Sequence, residues 1–294
     1  MLPPAGADDE DSHAASLVPS RSKDHYDRPV TEAEGAATFR SATDMYGRFV
    51  GRYAPSLAVG LIGAVGLDRD DRVLDVGCGP GGLATALAEV VGQQNVSAVD
   101  PSQPFVSVCR ARLPSADVRV AAAEELPFED DSFDAAFAQL VVNFMTDPVR
   151  GVGEMKRVVG PGGSVAACTW DYREGMTMIR VFWDAAHEIV PAEAAEYDEG
   201  KNMHYATVEE LTGLWQAVGL DQVEGGQLSV TVDYEDFDDL WAPLPTGIGP
   251  AGAFCASLEP EQQQALRAAL SRRLGDPEGP FELSARAWYA VGRA

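Results

Sequence analysis

Val73-Leu74-Asp75-Val76-Gly77-Cys78-Gly79-Pro80-Gly81-Gly82 is the stretch on which the fold of this 294-residue chain turns. Its first four residues read as a short strand buried on both faces, and the glycine cluster behind them lets the backbone turn sharply and come close to a ligand. A helix reads over 83–91. Downstream the alternation continues, with strands over 96–100, 118–121, 133–139 and 164–169, helices over 104–112 and 149–159, and the turn Gly160-Pro161-Gly162-Gly163 before the fifth strand. Strands alternating with helices specify a mostly parallel sheet covered on both faces. Beyond Trp170, helical stretches read over 178–189, 209–218 and 235–275, the last with a Gly/Pro-rich break at 243–252. Strands over 223–232 and 281–291 fit an antiparallel hairpin closing the sheet. The expected fold is therefore α/β: a Rossmann-like, seven-stranded, mostly parallel sheet with helices on both faces and a helical cap.

Upstream of the glycine stretch, Phe39, Met45, Tyr46, Phe49, Val50 and Tyr53 are spaced as on amphipathic helices, and Pro55 opens another helix through Leu57, Leu61, Ile62 and Val65 to Gly66. Residues 1–28 are rich in Pro, Ala, Ser and acids without apolar periodicity and read as disordered. The organisation that follows is helices over 31–66, a ligand-binding core over 67–170, and a cap over about 171–215 and 233–280, all within one domain of residues 29–294.

The formal net charge of −24 disfavours nucleic acid and anionic membrane surfaces as partners, although solubility alone also accounts for it. Cys78, Cys109, Cys168 and Cys255 form no CxxC pair, and the four histidines have no metal-ligand spacing, so no metal is expected. The cysteines read as core residues of a reducing compartment. No run of 18 apolar residues and no secretory leader is visible, so a cytoplasmic protein without a membrane span is expected.

Gly77, Gly79 and Gly82 satisfy the spacing Gly-x-Gly-x-x-Gly, which by itself also admits a dinucleotide. Asp75 separates the two readings. A pyrophosphate set at this turn would meet the Asp75 carboxylate at a cost of a few kcal/mol. S-adenosylmethionine (SAM) carries no phosphate but does carry an ammonium and a sulfonium, which a carboxylate favours. The alternative for Asp75 is a strand-end cap on the loop amides. Asp100, ending the second strand, can accept from a ribose diol in either cofactor, or cap the helix that follows Pro101.

The stretch 73–82 closely resembles the first motif of class I SAM-dependent methyltransferases. The later motifs follow in order: Asp100-Pro101-Ser102 resembles the ribose-binding strand end, 123–134 the adenine-side loop leading into the fourth strand, and Gly160–Gly163 the turn before the fifth. Within the family, the chain is most similar to the ubiquinone/menaquinone C-methyltransferase-like (methyltransferase type 11) subgroup of small-molecule enzymes. This resemblance implies SAM as cofactor and S-adenosylhomocysteine as product, held by Asp75, Gly77, Gly79, Asp100, Pro101, Ala123 and Glu124. It also implies that Tyr46 and Arg52, in 46–53, contact the methionine carboxylate, for which a guanidinium is chemically suited; packing of an amphipathic helix is the alternative for both. The sequence departs from the pattern at Ala122, where many relatives carry an Asp for the adenine amino group, so Ala123 and Glu124 must hold the base.

Displacement in line with the S–CH3 bond needs mainly placement in a dry pocket, and a base only for an unactivated acceptor. The acceptor pocket should lie beyond the strand carboxyl ends. Gln139, which could orient SAM or acceptor, and Asn143, Trp170, Trp183 and His204 are the candidates there, with Asp171 and His187 as candidate bases. The cap aromatics Trp183, Phe237, Trp241, Phe254 and Trp288 suggest an apolar, quinone- or prenyl-like acceptor, or else form the cap's own core. No Asn/Asp-Pro-Pro-Tyr/Phe motif follows the fourth strand, which opposes methylation of nucleic acid bases. The expected function is methyl transfer to a small organic acceptor, with a SAM-binding cyclase of the same fold or a NAD-dependent oxidoreductase as alternatives. The sequence leaves a homo-oligomer open.

Overall fold

The computed structural model describes Met45 and residues 47–294. The readings made for residues 1–44, and the placement of Tyr46, lie outside the described residues.

Helix α1 (Ala54–Val65) has Pro55 in its first turn and stops at Gly66, burying Leu57, Ala58, Leu61 and Ile62, one stripe at i, i+3/i+4 spacing. Strand β1 (Val73–Val76) is buried throughout and runs into helix α2 (Gly82–Val91). Then come β2 (Val96–Asp100), α3 (Gln103–Arg112), β3 (Asp117–Val120), β4 (Phe133–Gln139), α4 (Pro148–Val158) and β5 (Val159–Trp170). Ser102 and Asp147 cap α3 and α4, their side chains accepting from the Phe105 and Arg150 amides. The second half comprises α5 (Thr177–Ile189), α6 (Pro191–Tyr197), α7 (Glu199–Asn202), α8 (Val208–Ala217), β6 (Asp221–Tyr234), α9 (Phe237–Trp241), α10 (Gly249–Ser257), α11 (Pro260–Arg273) and β7 (Phe281–Arg293).

The sheet order is β3-β2-β1-β4-β5-β7-β6. Pairings are parallel from β3 through β5, and β7 lies antiparallel to both β5 and β6. The expected seven-stranded sheet with a closing hairpin is therefore the observed one. Two local readings differ. The Gly160–Gly163 turn is absorbed into the start of β5, where the register jumps from Phe133↔Val159 to Ala135↔Ser164. The break read at 243–252 ends early, because Gly249-Pro250 opens α10, with Pro in the first turn, where its missing N–H costs nothing.

Strand parity sorts the core into two layers. Val73, Ala135, Phe137, Ala166 and Cys168 face α1, α2, α3 and the cap helices α5, α10 and α11. Leu74, Val76, Ala136, Ala138, Val165 and Ala167 face α4 and α8. Trp215 of α8 donates its indole N–H to the Val165 carbonyl at 2.8 Å, fixing that helix to β5. The same parity decides the site: Asp75 lies two residues beyond Val73, Asp100 two beyond Ala98, and Gln139 two beyond Phe137. All three side chains leave the carboxyl ends of β1, β2 and β4 toward the α1–α3 layer.

Candidate cofactor and acceptor site

Two compartments open at these strand ends. The first, of about 170 Å³, lies between the segment 47–55 and the glycine turn. The second, of about 410 Å³, lies between Asp100-Pro101 and the loops at 122–124 and 140–146. Gly77, Gly79, Gln139 and Leu140 line both and join them into one cleft.

The turn between the compartments needs glycine. Gly77 has φ +74°, and a Cβ there would lie 2.4 Å from a Val141 methyl. The loop amides are already committed. Those of Gly77 and Cys78 donate to the Val99 carbonyl at 2.8 and 2.9 Å, that of Gly79 to Asp100 Oδ2 at 2.9 Å, and that of Gly81 to the Cys78 carbonyl at 2.9 Å. A pyrophosphate cradle requires such N–H groups to point at the ligand. These four amides do not.

Asp75 is buried at 1% exposure, and neither carboxylate oxygen has a hydrogen-bond partner of good geometry. Burial pushes its pKa up to about 7, the Asp100 charge adds to the rise, and the Ala84 amide opposes it. A buried carboxyl in this state is costly unless a donor faces it. Asp100 is held: Oδ1 accepts from the Ser102 amide at 2.8 Å and Oδ2 from Gly79, each oxygen keeping a further lone-pair direction. Burial raises its pKa, and the Ser102 and Gly79 amides moderate the rise. Gln139 donates Nε2 to the Ala54 carbonyl at 3.1 Å, tying β4 to α1, and its buried Oε1 has no partner. The cleft thus presents, in one compartment, a carboxylate that only the Ala84 amide approaches and a bare amide oxygen, and in the other a partly free carboxylate. That set suits a cationic amine beside a diol. Ala123 lines the second compartment, as does Glu124, whose Oε1 accepts from the Thr146 and Asp147 amides at 2.7 and 3.1 Å. Glu124 therefore braces the wall-forming loop. Leu140, with φ +62°, holds the join in a strained conformation through its amide, which donates to the Cys168 carbonyl at 2.8 Å.

Several sequence-read residues lie elsewhere. Arg52 is not a cleft residue: its guanidinium bridges Asp239 (3.0 Å from each nitrogen to an oxygen), donates to the Arg48 and Asp233 carbonyls, and stacks 4.2 Å over the Tyr234 ring. Asp171 is buried under Arg286, whose Nε and Nη2 reach Oδ2 at 2.8 and 2.5 Å, while Oδ1 accepts from the Arg173 and Glu174 amides. Its lone pairs hold the corner after β5, so it is not available as a base. His187 Nε2 lies 3.0 Å from Asp198 Oδ2, and Arg180 holds the same carboxyl at 2.6 Å. Burial alone would raise the Asp198 pKa, but these two partners pull it below the usual carboxylate value. His187 is thus part of a cap ion-pair cluster. Trp183 is fully buried and donates to Glu199 Oε2 at 3.0 Å, and with Phe182 and Phe254 it forms the aromatic core of the cap. Trp170 packs edge-on against Tyr53 with ring centroids 5.4 Å apart. Asn143 donates to the carbonyl of the exposed His204 at 2.9 Å, and neither lines the cleft. Trp183, Phe237 and Phe254 therefore follow the core reading with Trp241 packed against them, Trp288 lies on β7 under the Arg286 guanidinium, and none of Trp170, Trp183, Asn143 or His204 lines the cleft.

A family model described as a methyltransferase domain matches residues 74–167, the span from β1 into β5 that builds the cleft. A demethylmenaquinone methyltransferase of Clavibacter sepedonicus is 30% identical over 200 residues, covering 63% of this chain and 76% of that protein. An uncharacterized methyltransferase of Mycobacterium tuberculosis is 36% identical over 137 residues, covering 47% of this chain and 53% of that one, so the chain spans about half the length of such relatives. Among solved structures, a Haemonchus contortus phosphoethanolamine N-methyltransferase in complex with S-adenosylhomocysteine shares the fold, with a TM-score of 0.51 and 18% identity over 81% of this chain and 52% of that one. The chain belongs to the class I SAM-dependent methyltransferases, in the group whose methyltransferase domain it shares with demethylmenaquinone methyltransferases. The acceptor oxygens of the cleft fit that family's cofactor, and among the described residues no cluster suits a metal.

Proposed function

We propose that this chain transfers a methyl group from SAM to a small, apolar organic acceptor. The observation that carries the proposal is Asp75, a buried carboxyl that only the Ala84 amide approaches, outside good hydrogen-bond geometry, and that opens onto the glycine turn. In this reading Asp75 and Gln139 Oε1 receive the ammonium of the cofactor, and Asp100 receives the ribose diol. Pro101, Ala123 and the loop braced by Glu124 enclose the adenine. When bound, SAM supplies an electrophilic methyl on a sulfonium.

The residues of this chain support alignment rather than acid–base chemistry. The titratable side chains lining the two compartments are Asp75, Cys78, Asp100, Arg112 and Glu124. The three acids are assigned to the cofactor or to a loop. Cys78 is buried, and its hydrogen bond to Cys109 together with that burial drives its pKa far upward, which keeps it a thiol. The acceptor atom must then arrive already nucleophilic, and the rate comes from holding it close and in line while water is excluded. Val50, Ala54, Pro55 and Leu140 give the first compartment an apolar wall, which favours an apolar acceptor. Among the described residues no helix is long and apolar enough to cross a membrane.

Calorimetric titration with SAM, S-adenosylhomocysteine and NAD tests the cofactor. Binding of the first two and not the third is expected, and binding of NAD alone would overturn the proposal. Product mass then tests the reaction: one added methylene unit is expected, whereas an unchanged mass with a rearranged skeleton would exclude transfer.

A further inference from the structure

We propose that Arg112 binds the carboxylate of the cofactor's amino-acid half; this rests on SAM occupying the cleft. That carboxylate enters a compartment that already contains Asp75 and joins another containing Asp100. The cofactor's own ammonium and sulfonium offset two of these three negative charges, which leaves one for a cation of the protein. Arg52, the cation that resemblance put there, is spent on Asp239, and so is Arg48, whose Nη2 lies 3.0 Å from the same carboxyl.

Among the described residues lining the two compartments, Arg112 is the sole cation. Among the described residues its exposed side chain has no ion-pair or hydrogen-bond partner. Its placement follows from the packing of α3. Cys109, one turn earlier on the same helix face, presses against the glycine turn: a Cβ on Gly81 would stand 3.0 Å from its sulfur. That contact sets the last turn of α3 beside the glycine turn, and Arg112 lines the first compartment together with Pro80 and Leu83. The neighbouring Arg110 is oriented away and donates Nε to the Val118 carbonyl at 2.8 Å. A guanidinium on a long, flexible stem at this rim can fork onto a carboxylate without disturbing the core.

The test compares two ligands on the full chain by calorimetry: S-adenosylhomocysteine, which has the amino-acid carboxylate, and 5′-methylthioadenosine, which lacks it. Arg112→Gln should weaken S-adenosylhomocysteine about tenfold and leave 5′-methylthioadenosine within twofold, and Arg112→Lys should recover part of the loss. Equal affinities of wild type and Arg112→Gln for S-adenosylhomocysteine would overturn the inference. So would a parallel loss for both ligands, which would mean that Arg112 merely supports the loop. If the wild-type chain binds neither ligand, the SAM reading itself fails, an outcome distinct from both. A melting temperature and circular dichroism spectrum matching wild type establish that the variants fold.

Discussion

The cofactor cleft and the helical cap each bury a carboxyl whose pKa is pushed up to about 7, yet the two sites differ in kind. Glu199, in the cap, is buried at 3% exposure, and its rise comes from burial, partly offset by the hydrogen bond from Trp183 and increased by the Asp198 charge. Its oxygen has a donor inside a packed aromatic core. Asp75 is buried to the same degree and lacks that donor, but it faces a cavity. A raised pKa therefore does not distinguish a structural acid from a binding one. What distinguishes them is whether the surrounding protein already supplies the partner. Asp171, at the end of β5, makes the contrast sharper: it is another buried strand-end aspartate, and Arg286 and two amides fully engage it.

The largest effect that could break this contrast is at Asp171. Asp171→Ala removes the partner of Arg286 and two amide acceptors, and should destabilise the chain by about 3 kcal/mol, somewhat below a fully buried pair because Arg286 is partly exposed. Chemical denaturation measures it. A loss under about 1 kcal/mol, with turnover abolished in a folded protein, would return Asp171 to the list of catalytic groups.

Next in size are the paired isosteres Asp75→Asn and Glu199→Gln. Both folded pKa values lie above the unfolded ones of 3.8 and 4.5, so the folded state binds more protons between the two values. Each acid's contribution to stability is therefore present in full below about pH 4 and is lost as pH rises to about 7. Either substitution should make the ligand-free chain more stable than wild type at pH 8. Only Asp75→Asn should weaken SAM, by about 1–3 kcal/mol, because an ammonium then faces a neutral amide. Equal SAM affinity in both variants would erase the distinction drawn between the two regions.

The local order of the chain was legible because β1, β2 and β4 are short, largely apolar runs and helices have their own boundary residues, such as Pro55, Ser102 and Asp147. Asp75, Asp100 and Gln139 could be placed in the cleft because strand ends and parity fix where such side chains point. Two of the errors share a cause. Arg52 meets Asp239 across 187 residues and Asp171 meets Arg286 across 115, and no local window contains either pair. The φ of +62° at Leu140 leaves no trace in composition, since leucine does not favour that region and the surrounding fold imposes it. The signal for α10 was present in Gly249-Pro250 but reads equally well as a loop until the chain around it is packed.

A smaller effect follows from protonation. At pH 6 most of the ligand-free chain carries a proton on Asp75, whereas an ammonium partner favours the ionised form. Binding of SAM at pH 6 should therefore release close to one proton, falling toward none at pH 8, and affinity should increase with pH across that window. Calorimetry in buffers of different ionisation enthalpy counts the protons. No release at pH 6 would mean that Asp75 is already ionised without a ligand, and so already has a partner.

The smallest effect is at His187, and it sharpens the contrast from the cap side. Its Nε2 meets Asp198, but that carboxyl also holds Arg180 at 2.6 Å and the Gly200 amide at 2.9 Å. Losing one of three partners leaves the charge compensated, unlike the loss of Arg180, so the cost is that of a single, partly exposed hydrogen bond. His187→Gln should lower stability by about 0.5–1 kcal/mol and leave both SAM affinity and kcat unchanged. The helix that carries His187 packs on α11 and α6, and the residue lines neither compartment of the cleft. If instead kcat fell a hundredfold with KM and melting temperature preserved, the cap would have to move during turnover and bring this imidazole to the acceptor. The division of labour argued here, in which β1, β2 and β4 bind and the cap's buried charges only hold it together, would then be wrong at this residue.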